Sequence, residues 1–227
     1  ESAFEDITMN NENVSAGTLP DVLNNFFISV GNGVPSLDLS KLEVMRQKLG
    51  AAVPQEFIVY PFEVFTELSK ISLQKSSGPD LVPNKILKEL SFMLAEPICA
   101  IINSSVRQGK VPDCWKISRI TPLPKQLPPK AVENDIRPIA ITNTLAKIAE
   151  KFVARWFDDH FGTHLDPNQF GCTRSRSTTH ALIKLTHDIF KAHENSDNVI
   201  RILLIYFSKA FDLIDHNNLM KKFEDYN

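Results

Sequence analysis

The sequence has few cysteines, no long apolar run and no N-terminal targeting signal, and each shortage excludes a class of protein. Cys99, Cys114 and Cys172 are odd in number and widely spaced, which argues against a disulfide framework and against a zinc site. No apolar run approaches the length that spans a bilayer. The first residues lack an initiator Met, a basic region and an apolar region, so no signal peptide is predicted. An intracellular location is expected, with nucleus and cytoplasm left open.

The composition is that of an ordinary globular protein with an uneven distribution of charge. The 227 residues are 43% hydrophobic and 23% charged, and they suffice for one domain or two small ones. The net charge is only -2, yet residues 107–130 carry six bases against one acid. A local basic stretch attracts phosphates, although by charge alone a solvated surface is the simpler interpretation. The bases are Arg107, Lys110, Lys116, Arg119, Lys125 and Lys130.

Apolar residues at helical spacing predict helices through most of the chain. Four predicted helices cover residues 19–30, 40–49, 84–90 and 95–107. Another begins at Pro61, one is capped by Asn143 or Thr144, and one begins near Asp215 or His216. A further helix is capped by Ser177 or Thr178, and its side chains predicted to point inward are Ala181, Leu182, Leu185, Ile189 and Ala192. Residues 1–18 are polar and show no period, so we expect them to be loose.

The remaining patterns predict extended structure and turns. Residues 115–123 and 137–142 are expected to be extended, with a proline-rich loop between them. Asp197 and Asn198 predict a turn. Residues 199–207 are apolar almost throughout, which indicates a strand covered on both faces. The fold class is therefore α/β, with several helices preceding a central buried strand.

Four segments, in this order, resemble the reverse transcriptases of non-LTR retrotransposons, which are LINE-like elements of the jockey and CR1 type. The segments are residues 75–88 (KSSGPDLVPNKILK), residues 115–125 (WKISRITPLPK) with 137–141 (RPIAI), residues 168–182 (NQFGCTRSRSTTHAL) and residues 203–216 (LLIYFSKAFDLIDH). Each match is weak alone, but together they cover roughly residues 60–227. Residues 23–31 (LNNFFISVG) also resemble the segment that precedes the domain in this family.

The resemblance implies an incomplete right-hand polymerase fold, with the fingers and the first palm strand present. Residues 1–60 are then a partly helical leader, and residues 61–227 are the truncated reverse transcriptase domain. The chain begins at Glu1 and stops at Asn227 after an apolar-patterned segment, so we expect it to be part of a longer protein. The implied partners are an RNA template, a DNA primer and deoxynucleoside triphosphates, with no membrane.

The same resemblance implies nucleotide-binding roles for five residues. Lys125 and Arg137, each beside a proline, would supply the cations of the fingers that meet the triphosphate. Backbone groups of Lys209 and Ala210 would face the triphosphate, and the Phe211 ring would stack under the deoxyribose. The alternatives are that Lys125 and Arg137 are exposed loop residues and that Phe211 belongs to the core.

Departures from the family concern catalysis. Template-directed synthesis is a phosphoryl transfer assisted by two metal ions, Mg²⁺ or Mn²⁺ for this family, held by carboxylates. Tyr206 occupies the position expected for the first metal-binding Asp, and a phenol is neutral at working pH. The later Asp pair of the family is not reached before Asn227, and Asp158 with Asp159 is interpreted as a solvated helix end. No metal site is predicted, and binding of the family's metal by this chain is in doubt.

The third segment also departs from the family, because Cys172 and Thr173 stand where an aromatic residue and an arginine are usual. Arg174 and Arg176 are candidates to replace the lost cation. We carry three hypotheses: a partial RNA-directed DNA polymerase that is inactive as this chain; a decayed or repurposed remnant that only binds nucleic acid or a partner; and an unrelated α/β interaction domain, which the four ordered matches disfavour.

Overall fold

The computed structural model describes residue 4 and residues 7–49, 53–194 and 199–225, apart from the side chains of residues 45, 46, 48 and 49. Two antiparallel strand pairs and nine α-helices lie in these ranges, together with three short 3-10 helices. The strands are β1 (Thr8–Met9), β2 (Glu12–Asn13), β3 (Ser118–Pro124) and β4 (Ile136–Thr142). The helices are α1 (Leu19–Ser29), α2 (Leu39–Leu49), α3 (Pro61–Ser69), α4 (Asn84–Glu89), α5 (Ser91–Gln108), α6 (Val132–Asp135), α7 (Thr144–Phe161), α8 (Thr178–His193) and α9 (His216–Asp225).

The larger core is helical and joins α3, α4, α5 and α7. Its buried side chains come from these helices and, for Val59, from the segment just before α3, and Trp115 and Trp156 pack against them. Helix α5 ends where Gly109 adopts the left-handed conformation (φ 57°), in which its N–H caps the carbonyl of Val106. Pro97 is accepted inside α5. The core residues are Val59, Val64, Leu68, Leu87, Ile98, Cys99, Ile102, Ile148 and Phe152.

A second, smaller core lies between the N-terminal segment and the start of β4. The backbone N–H of Thr8 donates to the Lys130 carbonyl (2.8 Å), and Ile7 is fully buried. The expectation that residues 1–18 are loose is therefore wrong for residues 7–18, because Ile7 supplies an apolar anchor that the polar average of the segment conceals. The buried residues of this core are Ile7, Leu19, Leu23, Val132 and Ile136. The division of the chain at residue 60 stays a prediction.

The expected central strand over residues 199–207 is absent. These residues form no helix or strand, and Leu204 is 87% exposed. Strand pairing requires a neighbour, and no described segment supplies a strand beside this one. Helix α8 also departs from expectation, since none of its residues is buried and Leu182 is 61% exposed.

The other helix predictions are confirmed to within a few residues. Ser177 caps α8 by accepting a hydrogen bond from the His180 N–H (3.4 Å). Helix α1 ends at Ser29, and the Val30 that follows it is right-handed (φ -58°). The predicted turn at Asp197 and Asn198 lies outside the described residues. No helix in the described part of the chain is long and apolar enough to cross a membrane.

Candidate nucleic-acid and nucleotide site

The β3–β4 hairpin brings together the two cations predicted for the fingers. The strands are antiparallel, with Leu123 opposite Arg137 and Pro124 opposite Ile136. The Lys125 N–H continues the ladder by donating to the Asp135 carbonyl (2.7 Å). Side chains two residues apart on a strand share a face, so Lys125 and Arg137 lie diagonally on one side of the hairpin. Both side chains are exposed.

The same register adds a third cation to this face. Arg119 lies six residues before Lys125, opposite Ile141, and therefore points to the same side. We call Arg119, Lys125 and Arg137 the hairpin cations. No carboxylate of the described residues lies within ion-pair distance of any of them. By contrast, Lys116 of the same basic stretch is paired with Asp113 (2.8 Å).

Hydrogen bonds fix the conformation at the tip of the hairpin. The Lys125 ammonium donates to the Asn134 carbonyl (2.5 Å). The Asp135 carboxylate accepts from the backbone N–H groups of Lys130 (2.8 Å) and Ala131 (3.1 Å). These backbone hydrogen bonds are the main cause of the lowered pKa of Asp135, and the charge of Lys125 contributes to a smaller extent. The tip is therefore a preformed loop in which the Lys125 ammonium is held by a hydrogen bond.

The fourth segment forms an exposed turn. Tyr206 and Phe211 are 89% and 83% exposed, so the alternative of a core position for Phe211 is not observed. Lys209 has a positive φ of 51°, and its carbonyl accepts from the N–H groups of Asp212 (3.0 Å) and Leu213 (3.2 Å). Its ammonium lies 4.6 Å from the centre of the Phe26 ring in α1.

The acids around this turn do not fit a site for Mg²⁺ or Mn²⁺. Within the described ranges no three side chains of His, Cys, Asp or Glu gather in one place. The Asp215 carboxylate accepts from the backbone N–H groups of Asn217 (2.8 Å) and Asn218 (3.3 Å), so it holds the start of α9. Hard divalent cations need several oxygen ligands, and the fully exposed phenol of Tyr206 does not replace a carboxylate.

The third segment distinguishes its two arginines. The Arg176 guanidinium donates to the carbonyls of Pro167 and Gln169 and lies over the Phe170 ring (5.8 Å), so it stabilises the loop. Arg174 is exposed and makes no such contact with the described residues. Cys172 at the family's aromatic position is left-handed (φ 55°) and exposed. Of the two candidates, Arg176 is engaged in holding its own loop, whereas Arg174 makes no such contact with the described residues.

Sequence reasoning missed a buried polar network that holds the first two segments together. Asn143 is 2% exposed; its amide oxygen accepts from the Asp80 N–H (3.2 Å), and its amide nitrogen donates to the Cys114 carbonyl (2.7 Å). Of the two predicted caps, Asn143 and Thr144, Asn143 is the N-cap residue of α7, but its side chain makes no capping hydrogen bond. A Cβ at Gly78 would lie 2.5 Å from the Asn143 Cα, so only glycine fits.

A second buried asparagine extends this network. Asn84 donates to the Lys75 carbonyl (2.8 Å) and accepts from the Thr144 hydroxyl (2.7 Å). Two asparagines thus connect the loop of the first segment to the beginning of β3 and to the end of β4. The residues concerned are Gly78, Asn84 and Asn143. They lie in separate segments of the sequence, so local sequence patterns did not predict that they come together.

Two curated proteins of Drosophila melanogaster are similar to this chain over 162 residues, which is 70% of its length. One is described as a probable RNA-directed DNA polymerase from transposon BS, with 28% identity, and the other as the RNA-directed DNA polymerase from mobile element jockey, with 26% identity. This chain is homologous to part of a non-LTR retrotransposon reverse transcriptase. No protein-family model matches the chain.

The homology confirms the family resemblance carried by the four segments. The chain spans 18% of the length of each of these two reverse transcriptases. A polymerase fold is implied, and the mixture of helices and strands in the structure agrees with it.

Proposed function

We propose that this chain forms the nucleic-acid-binding and nucleotide-binding front part of a reverse transcriptase. The observation that supports this role best is the β3–β4 register, which places Arg119, Lys125 and Arg137 on one exposed face. Phosphate backbones attract such a face, and cations that are not already paired with carboxylates are available for the contact. The partners in this proposal are an RNA template, a DNA primer and deoxynucleoside triphosphates.

On this face, Arg137 and Lys125 have different roles in binding phosphate. The planar guanidinium of Arg137 suits a two-pronged contact with phosphate oxygens, and the ammonium of Lys125 serves as a point charge. The Lys125 ammonium already donates to the Asn134 carbonyl, which leaves it two further protons for a phosphate. The hydrogen-bonded tip keeps both cations in place before a ligand arrives.

The turn of the fourth segment supplies the remainder of the nucleotide site. Lys209, Ala210 and Phe211 donate no backbone hydrogen bond within the described part of the chain, so their N–H groups are available to phosphate oxygens. The Phe211 ring is exposed and can lie against the sugar. In the proposal Lys209 and Ala210 meet the triphosphate through the backbone, and Phe211 excludes a 2′-hydroxyl.

Metal-assisted catalysis is not part of the proposed role of this chain. Reverse transcriptases use divalent metal ions, but Tyr206 stands at the position of the first metal ligand, and no group of carboxylates forms beside it among the described residues. We therefore propose binding without polymerase activity for the chain as given.

The binding proposal is tested by fluorescence anisotropy with a primed RNA template at several salt concentrations. Affinity should fall steeply as salt rises, because each neutralised phosphate releases counterions. Changing Lys125 and Arg137 together to alanine should lower the affinity. It should also make the plot of log affinity against log salt concentration less steep, by the amount expected for the loss of about two phosphate contacts. The control changes Lys85 and Lys184 to alanine, since it removes two positive charges that are already paired with Glu89 and Asp188. Equal effects of the two double variants would contradict the proposal.

A second candidate function is a remnant that binds nucleic acid without belonging to a working polymerase, and Tyr206 is the observation that favours it. The test is primer extension by a chimera in which this chain is followed by the remaining palm of the jockey relative. We expect the Tyr206→Asp chimera to exceed the Tyr206 chimera by about 100-fold or more, because a missing transition-state contact costs that much. Equal activities would mean that position 206 is not the metal-ligand position.

A further inference from the structure

Among the described residues, one cation–π contact joins the N-terminal segment to the fourth segment, and it is formed by Lys209 and Phe26. The Lys209 ammonium lies 4.6 Å from the centre of the Phe26 ring, within the range of an attractive interaction with the ring face. Phe26 belongs to α1, and Lys209 lies in the turn that follows residues 199–207. The contact therefore ties the proposed nucleotide turn to a helix far away in the sequence.

The ring of Phe26 is held in place because it packs against the smaller core. That core contains Val132 and Ile136, and Ile136 immediately precedes Arg137 in β4. The neighbouring ring of Phe27 lies 5.6 Å from Phe26 and packs against the same core. One small core thus supports both the tip of the β3–β4 hairpin and the ring beneath Lys209.

The backbone of Lys209 has an unusual conformation, which the contact with Phe26 can help to hold. Lys209 is left-handed (φ 51°), a conformation that costs a non-glycine residue roughly 1–2 kcal/mol. Strain of this kind persists where surrounding contacts hold it, and it often marks a functional site. With Lys209 held in this conformation, the N–H groups of Ala210 and Phe211 remain free of acceptors in the described part of the protein.

We propose that Phe26 is a positioning residue of the nucleotide site: by anchoring the Lys209 side chain it fixes the backbone N–H groups that receive the triphosphate. This inference rests on the proposed function of the turn. It makes the N-terminal segment a working part of the site, although that segment lies outside the region predicted to be the polymerase domain.

The test measures the affinity of the full chain for dTTP together with the nuclear magnetic resonance shifts of the Lys209 ε-methylene protons. Phe26→Leu keeps an apolar side chain on the core but removes the ring, and Phe26→Tyr keeps the ring. Phe27→Leu is the matched control, since Phe27 packs on the same core and no cation of the described residues lies over its ring. A ring that covers Lys209 should shift its ε-protons upfield.

We expect Phe26→Leu to abolish the upfield shift and to weaken dTTP binding about two- to five-fold, the size of an exposed cation–π contact. Phe26→Tyr and Phe27→Leu should retain both properties. Lys209→Ala should weaken binding to a similar extent, and the double variant Phe26→Leu with Lys209→Ala should lose no more than either single variant, because both remove one contact.

The outcomes separate this inference from the function on which it rests. If the wild-type chain does not bind dTTP, the proposed nucleotide function fails and the inference fails with it. If the wild-type chain binds dTTP but Phe26→Leu binds equally well, only the inference is overturned. Equal losses in Phe26→Leu and Phe27→Leu would also overturn it, since the effect would then come from packing of the core.

Discussion

Residues 59–152 and residues 162–225 both contain helices with apolar faces, but only the first region buries them. Nine side chains between Val59 and Phe152 form one core. No described residue between 162 and 225 is buried, although this region includes α8 and the apolar residues 199–207. An apolar face stabilises a fold only when a second face removes it from water.

The difference in burial identifies the interactions that stabilise residues 59–152. Helices α3, α5 and α7 pack on one another, and ion pairs between Glu63 and Arg155 (2.8 Å) and between Glu67 and Lys151 (2.6 Å) lie at the edge of their contact. In the second region the ring of Phe223 in α9 contacts the ring of Phe157 in α7, with 5.7 Å between the ring centres. No described residue of this region is buried in a core. We therefore expect the two regions to respond very differently to the same chemical change.

The largest expected contrast is between two leucine truncations. Leu68→Ala should lower the free energy of unfolding by about 2–5 kcal/mol, because it removes a fully buried side chain and leaves a cavity. Leu204→Ala should change it by less than about 0.5 kcal/mol, because Leu204 is 87% exposed. Urea unfolding followed by circular dichroism measures both. A loss above about 2 kcal/mol for Leu204→Ala would mean that residues 199–207 are packed in solution.

A smaller effect is expected from the buried amide that joins the first two segments. Asn143→Ala should destabilise the protein by about 1–3 kcal/mol, because it leaves the Asp80 N–H and the Cys114 carbonyl without their partner. Asn24→Ala on the exposed surface of α1 is the control and should be nearly neutral. Thermal unfolding distinguishes the two, and a neutral Asn143→Ala would contradict the importance of the network.

The smallest effect should be a gain in stability at Leu81. This residue is left-handed (φ 56°) and 71% exposed, so its side chain strains the backbone without contributing to the core. Leu81→Gly should stabilise the protein by about 0.5 kcal/mol, since relief of strain outweighs the entropy of the glycine. Leu81→Ala keeps the strain and should bring no gain in the midpoint of thermal unfolding. Equal midpoints for Leu81→Gly and Leu81→Ala would show that the left-handed conformation is not strained.

The sequence predicted those parts of the fold that depend on local patterns. The helices beginning at Pro61 and after Asn143 follow from apolar spacing and helix-start signals, and the two extended segments, one ending just before Lys125 and one containing Arg137, follow from alternation and proline. The diagonal arrangement of those two cations did not follow, because the register of a hairpin depends on pairing across the loop.

Predictions that needed a distant partner were the ones that went wrong or were not made. Residues 199–207 have the composition of a buried strand, but composition does not supply the neighbouring strand that burial requires. The buried position of Ile7 and the bridging role of Asn143 likewise depend on contacts with residues more than sixty positions away. The resemblance to reverse transcriptases identified the segments, and the structure supplied the contacts between them.

The attachment of the N-terminal segment to the tip of the β3–β4 hairpin has a practical consequence for producing this protein. An expression boundary drawn at residue 61, where the family resemblance begins, would remove Ile7, Leu19 and Leu23 and leave Val132 and Ile136 facing water. Such a truncated protein would expose a new apolar surface beside the loop that carries Lys125. Purified samples would then self-associate for a reason unrelated to the polymerase sequence itself.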